Sequence, residues 1–472
     1  MTRVLIIVFD ALRPEFVTPD LMPNLHAFAR RGVYCTNHHS TFPTETRVNQ
    51  SAVITGCYPQ KHGVVANNFP LPGAAKVVKT GDDLAFETML GTMDGPLLET
   101  PTLGQILRQH GKAFASISAG TSGGGRLINL DAESLECFRF TLRRPEASVP
   151  FGVQDRIAAR VGAIPEYQQP AVAWNQHAVD VWLEYVEPDH SPDVSLLWLC
   201  EPDETFHWHG IGSPESLEAI RGVDTAFGTI LYRKADAISD GSLQIIAMSD
   251  HGQVSLAGAK LNLASLAREA GFDVDGSPPE YLISVHNAGG IWVRNSAHDR
   301  IGAMVRWLQG QPFAGQIFTR NGIAETLTHA DVLTEHPRAP DIYLTLAQID
   351  GLNTFGIEGR SADDAPYPED GGCHGGLSRF ELHNFLAMAG SAFQQNIMVR
   401  TQTGNVDILP TVMNLLGIPL AHQVDGRCLT ETLVGGHPVT FKIETLKAGV
   451  TRLQISQVGD TRYLDQAWTE LS

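Results

Sequence analysis

The sequence predicts an α/β fold in which helices sandwich a central, mainly parallel sheet, with an inserted cap region. Three observations lead there. Continuously apolar runs at residues 4–9, 113–118, 194–200 and 243–248 alternate with segments of helical periodicity. Runs without polar alternation suit strands buried on both faces, as in parallel sheets covered by helices. Several runs lead straight into acidic or acid–imidazole residues, and open α/β sheets place their ligands beyond the carboxyl ends of their strands. The composition, 43% hydrophobic and 18% charged with 45 Gly and 27 Pro, is that of a globular chain and argues against disorder, collagen or coiled coil.

Taken in order, residues 4–9 form the first strand and end at Asp10. Residues 23–31 read as a helix, with Gly32 placed where a left-handed cap would close it. Segments 46–55 and 103–110 read as helices, the second ended by Gly111. Strand 113–118 feeds the glycine-rich stretch 120–125, which lacks a following P-loop lysine and reads as a flexible loop. Segment 170–184 has helical periodicity, and 194–200 is a continuous apolar strand. Ser213-Pro214-Glu215 is a strong helix start, because proline suits the first helical position, and Leu217, Ile220, Phe227 and Leu231 supply the buried face. Residues 243–248 form another buried strand. Alternation weakens over 70–168, which is read as an inserted cap or lid over one end of the sheet, leaving 1–69 and 169–472 as the core. It resumes over 258–345, and 439–464 looks like antiparallel edge strands. No internal repeat or low-complexity tract appears.

A length of 472 residues sets an upper limit of about three domain-sized units. The formal charge of −18 repels phosphate backbones and anionic lipid, so nucleic-acid coating and membrane-surface binding are excluded as main tasks. No run reaches the length of a membrane span. The short apolar start reads as a strand rather than a signal peptide. Six cysteines with no CxxC pair are expected to be reduced and buried, which points to a cytoplasmic protein.

The chemistry sits at the strand ends. Asp10 follows the first strand, Asp203 and His207 follow 194–200, and Asp250-His251-Gly252 follows 243–248. Each alone is a common cap or surface residue. Three together, with His374 in Gly371-Gly372-Cys373-His374-Gly375-Gly376, supply the carboxylate and imidazole donors that suit zinc and its neighbours. Asp203 and His207, four apart, share one face of a helical turn. Gly252 frees the turn in which Asp250 and His251 converge. The set makes two metal sites. His62 and His209 read as structural, and no Cys-x-Pro-x-Arg nucleophile motif is present.

These residues carry a resemblance. Asp10-Ala11-Leu12-Arg13-Pro14-Glu15 resembles the first metal motif of the alkaline phosphatase superfamily, in its type I phosphodiesterase/nucleotide pyrophosphatase branch. Phe42-Pro43-Thr44-Glu45-Thr46-Arg47-Val48-Asn49, Thr55-Gly56-Cys57-Tyr58-Pro59 and His62-Gly63-Val64-Val65-Ala66-Asn67 resemble its nucleophile region. Glu201-Pro202-Asp203 with His207, Ser249-Asp250-His251-Gly252 and His374-Gly375 follow in the family's order, and Phe385 to Gly390 and Asp425-Gly426-Arg427 also match; 70–168 stays unmatched.

The resemblance implies an alkaline phosphatase-like fold and a dinuclear hydrolase of phosphodiesters, with zinc or manganese as the two divalent ions. It places Asp203, His207 and His374 on one ion and Asp10, Asp250, His251 and the Thr46 hydroxyl on the other. Thr46 becomes the nucleophile of a covalent phospho-enzyme, and Asn67 the amide donor to a phosphate oxygen. The implied partner is a small anionic phosphorus compound. Two departures matter: Arg47 stands where the nucleotide pyrophosphatases carry an aromatic residue, and Trp198 is left as the other aromatic wall. A phosphonoacetate-type hydrolase is therefore an alternative. A silent binding homologue is another, against which the intact Thr46 argues.

Overall fold

A computed structural model gives the architecture, and the structure describes residues 2–71, 74 and 76–470. Among them, nine strands build the central sheet: β1 (Arg3–Phe9), β2 (Val33–His39), β3 (Phe114–Ser118), β4 (Phe138–Thr141), β5 (Val194–Leu199), β6 (Leu243–Met248), β7 (His383–Ala389), β8 (Ile397–Val399) and β9 (Thr403–Gly404). The order across the sheet is β8-β2-β7-β6-β1-β5-β3-β4, with β9 paired to β2. Every pairing is parallel except the two made by β7. Strand β1 is buried on both faces. Val4, Ile6 and Val8 join one apolar core, and Leu5, Ile7 and Phe9 the other. That period of two, with helices over each face, is why the run is continuously apolar.

The helices that bear on the site are α1 (Pro23–Arg31), α2 (Thr46–Thr55), α3 (Ser122–Leu127), α4 (Asp203–His209) and α5 (Pro214–Arg233). In α5 the Ser213 hydroxyl accepts from the Ser216 N–H at 3.1 Å and Pro214 opens the first turn, as its sequence dictates. Ile220 and Phe227 are fully buried, and Leu217 and Leu231 pack partly buried against the same core. Helix α2 ends at Gly56, whose φ of 67° is the left-handed cap.

Four expectations are corrected. Gly32 has φ −96° and ψ −137°, not a left-handed cap; a Cβ there would lie 2.2 Å from the Met388 carbonyl oxygen, so close packing is what the position requires. The glycine-rich stretch 120–125 is not a flexible loop, because Thr121 caps the short helix α3, in which Gly123, Gly124 and Gly125 are buried. The segment 70–168 is not one cap unit: β3 and β4 extend the central sheet beyond β5, and Pro72, Gly73 and Ala75 lie outside the described residues. The strands expected over 439–464 do not edge the central sheet but form their own antiparallel sheet, Lys442–Ala448, Thr451–Val458 and Thr461–Thr469. Its inner residues Leu453, Ile455 and Leu464 join the core below β1. Residues 258–345 do alternate again; a five-stranded sheet there has its own core.

The close approach of α3 yields a stability test. A Cβ on Gly123 would lie 1.8 Å from the Thr80 carbonyl oxygen, whereas one on Gly91, inside helix Asp83–Thr92, meets nothing within 4 Å. Gly123→Ala should cost roughly 1–3 kcal/mol and lower the thermal midpoint. Gly91→Ala should raise it slightly, by about 0.5–1 kcal/mol of helix propensity. Scanning calorimetry of the two variants checks both signs.

Candidate active site

Register brings the acids together. Phe9 pairs with Leu199, and Val8 with Met248, so β1, β5 and β6 finish at one edge. Backbone bonds stitch the segments beyond it: the Asp203 N–H donates to the Asp10 carbonyl at 3.1 Å, and the Ala11 N–H to Asp250 Oδ1 at 3.1 Å. Strand β7 runs the other way and therefore starts at this edge, which brings in His374 from the loop before it. Thr46 opens α2, which follows β2 out of the same edge.

The side chains converge. His251 Nε2 lies 3.2 Å from Asp250 Oδ2, 3.5 Å from Asp10 Oδ1 and 3.2 Å from Thr46 Oγ. His207 Nε2 lies 3.3 Å from Asp203 Oδ2, and His374 Nε2 3.5 Å from Asp203 Oδ1. Two groups result, each with donor atoms within 4.8 Å of one another: Asp10, Asp250 and His251, and Asp203, His251 and His374. The first is the expected one. The second brings in His251, whose ring stacks on His374 with centroids 4.0 Å apart, while His207 reaches the group through Asp203.

The imidazoles are oriented for ligation. The Nδ1 atoms of His207, His374 and His251 face the carbonyls of Gly372, Thr44 and Gly252 at 2.7, 2.8 and 3.1 Å. A carbonyl only accepts, so each Nδ1 carries a proton, and in the neutral ring Nε2 is left with its lone pair, as metal-binding histidines require. Burial, with repulsion from Asp250 and Asp203, pushes Asp10 well above the usual carboxylate range, and burial also raises Asp250. Asp203 falls below it: His207 and His374 outweigh its burial. Asp10 Oδ1 and Asp250 Oδ2 are buried with no hydrogen-bond partner. Unpartnered buried carboxylate oxygens aimed at a common lone pair are costly unless a cation joins them, so the residues fit a pair of divalent ions.

The outer contacts decide further roles. The Trp198 indole N–H donates to Asp10 Oδ2 at 2.9 Å, and the ring is fully buried. It orients the Asp10 carboxylate while bordering the pocket. The Arg47 N–H donates to Asn67 Oδ1 at 2.8 Å, leaving the Asn67 amide N–H groups to face the site. Glu45 accepts from the Asn67 N–H, and its burial pushes the carboxyl up to about 7. Arg47 is buried, not a solvated helix residue. His62 is fully buried and its Nδ1 accepts from the Val64 N–H at 3.1 Å, a turn contact as expected. Glu45, Arg47, Asn67 and Trp198 border a pocket of about 390 Å³, which Tyr367, Trp208 and His286 also line. Sequence reading missed those three; Trp208 follows His207 in α4, whereas Tyr367 and His286 belong to no strand-end cluster. It missed Gln253 as well, a donor to Asp203 that could have been found two residues beyond His251.

With fold and site described, the comparisons define the family. The family model for type I phosphodiesterase/nucleotide pyrophosphatase matches residues 4–350, and the chain belongs to that family. Ectonucleotide pyrophosphatase/phosphodiesterase family member 1 of Mus musculus is 26% identical over 253 residues, 52% of this chain and 24% of the relative. The chain thus spans about a quarter of that relative's length. Among solved structures, murine ectonucleotide pyrophosphatase/phosphodiesterase 5, inactive and in complex with AMP, shares the fold with a TM-score of 0.61 and 18% identity, over 90% of this chain and 97% of its own. Phosphonoacetate hydrolase from Sinorhizobium meliloti 1021, in complex with phosphonoformate, aligns with a TM-score of 0.62 and 17% identity, over 86% and 94%. No described helix is long and apolar enough to cross a membrane.

Trp198→Phe keeps the ring but removes the donor to Asp10. Loss of such an outer contact should weaken zinc binding by about tenfold to a hundredfold with the fold intact, measured by competition with a chromogenic chelator. Acids held above their usual range stabilise the metal-free protein most at low pH, and that contribution fades as pH rises through their raised values. Metal binding needs them ionised. The rise in thermal midpoint on adding zinc should therefore be larger at pH 8 than at pH 5.5.

Proposed function

We propose that the protein is a dinuclear metal-dependent hydrolase of phosphodiesters that works through Thr46. The observation that carries this reading is the position of Thr46 Oγ, 3.2 Å from His251 Nε2 at the border of the buried acid cluster. Asp10, Asp250, His251 and Thr46 would hold one ion, and Asp203, His207 and His374 the other; the donor set fits zinc or manganese. Bound there, such ions supply Lewis acidity and lower the pKa of a coordinated hydroxyl towards neutrality.

The chain's own residues do the rest. Thr46 sits at the amino end of α2, which favours negative charge on its oxygen by roughly 0.3–1 kcal/mol. Its hydroxyl gives up its proton as Oγ attacks phosphorus in line, the ester oxygen opposite leaves with its bond electrons and takes up a proton, and a threonyl phosphodiester that keeps the second ester group remains. Water then attacks that phosphorus, releasing the phosphate product and restoring the hydroxyl. The Asn67 amide, held by its bond to the Arg47 N–H, donates to a non-bridging oxygen as charge grows there. The small pocket, with Arg47 and Lys79 in its lining, suits a small anionic phosphorus compound.

A phosphonate substrate is the second reading. The observation favouring it is the missing base sandwich: Arg47 replaces one aromatic wall and Trp198 is buried. Six cysteines without a disulfide partner support a reducing compartment, the cytoplasm.

Purified protein should hydrolyse bis-p-nitrophenyl phosphate, lose activity in chelator, and recover it with zinc or manganese. Thr46→Ala should keep its fold and lose turnover by about a thousandfold or more, while Thr46→Ser retains part of it. Full activity in the alanine variant would overturn the threonine mechanism.

A further inference from the structure

Arg47 lies one residue beyond Thr46, is only 7% exposed and borders the pocket. Its Nη2 donates to Thr121 Oγ1 at 2.6 Å, and its Nε is buried with no hydrogen-bond partner. Glycines make the space it occupies. A Cβ on Gly124 would lie 2.7 Å from Nη1, and one on Gly81 would lie 3.3 Å from Nη2. The short helix α3 and the turn at Gly81 thus seat a guanidinium against the site, with Thr121 as its anchor.

Asp10, Glu45 and Asp203, which line the pocket, act on Arg47 by their charge, and Asp82, Glu204 and Lys79 line it as well. Asp82 is occupied, accepting from the Leu84 and Ala85 N–H groups, and Glu204 is held by Arg143 and Tyr167. Lys79 makes no ion pair among the described residues and stands exposed at the rim. A planar fork with an unpartnered donor, in one pocket with an unpaired ammonium, is the chemistry that grips a second oxyanion.

We propose that Arg47 and Lys79 form a second-anion subsite, selecting small substrates in which a carboxylate or a second phosphoryl group lies close to the scissile phosphorus. The inference rests on the proposed function for its reacting atoms but not for its binding measurement. Its alternative is that Arg47 serves as a counterion to the buried acids, in which case it would not discriminate among substrates.

Three p-nitrophenyl esters test this: methylphosphonate, carboxymethylphosphonate and phosphonomethylphosphonate. The last two add a carboxylate or a phosphonate to the first and separate the two sources of charge. Arg47→Ala should raise KM about tenfold or more for at least one doubly charged ester and change the methylphosphonate within about twofold, with kcat little altered. Arg47→Lys should recover part of the loss. Gly124→Ala keeps the charge but crowds Nη1, and should show the same selectivity at smaller size; if Arg47→Ala fails to fold, this variant decides. Equal effects on all three esters, or none, overturn the subsite while leaving the hydrolase reading intact.

Calorimetric titration of zinc-loaded Thr46→Ala with the carboxymethyl and phosphonomethyl esters gives a readout without turnover. Adding Arg47→Ala should weaken at least one of them about tenfold and leave the methylphosphonate unchanged. If the wild type hydrolyses none of the esters, the proposed function fails, and this titration alone upholds or overturns the subsite.

Discussion

Three carboxylates buried at one edge of the sheet are the constraint on which the rest of the structure depends. Asp10 and Asp250 are 5% and 0% exposed, and Asp203 faces the same space. At an effective dielectric of about 20, two like charges 4 Å apart repel by about 4 kcal/mol, and burial adds a desolvation cost to each. The surroundings respond with oriented donors rather than with neutral packing: the Trp198 indole on Asp10, the Ala11 N–H on Asp250 and the Gln253 amide on Asp203. None of these removes the repulsion. They hold the oxygens and the three Nε2 lone pairs facing one another, an arrangement that cations complete.

Placing those groups takes a network that crosses the fold. Asn405 donates to the Asp250 carbonyl at 2.6 Å and to Asn49 Oδ1 at 2.8 Å. Asn49 belongs to α2 and also accepts from the Thr41 N–H and hydroxyl. Asn384 of β7 donates to the Ser249 carbonyl at 2.6 Å and to Asn405 Oδ1 at 3.1 Å. One buried amide cluster thus ties α2, the end of β6 and the antiparallel strand into a single unit. Hydrogen-bonded networks in a low dielectric rigidify what they join, so the spacing between Thr46 and the acids is held by this cluster.

The opposite wall is built from close packing. Helix α3 approaches the chain at Thr80 and Gly81 closely enough that Gly123 admits no side chain, and its neighbour Gly124 leaves room for the Arg47 guanidinium. Glycines here act by what they leave out. The wall carries Arg47 where an aromatic face was expected, and Trp198, the other expected face, donates its indole N–H to Asp10.

The sequence by itself determined the elements whose signals are local. Continuous apolar runs marked β1, β5 and β6, Pro214 with Ser213 marked the start of α5, and the i, i+4 spacing put Asp203 and His207 on one helical face. It also placed acids and imidazoles at strand ends, because a strand's end is visible where its apolar run stops. Tertiary structure alone decided the rest. It put β3 and β4 in the central sheet, set the C-terminal strands apart as their own sheet, buried Arg47, and brought His251 between the two acid groups. It also joined Asn405 to Asp250 across 155 residues of chain. Helical and strand periods are set by neighbouring residues and read directly. Register, burial and the meeting of distant side chains depend on which surfaces pack together, and no local pattern carries that information.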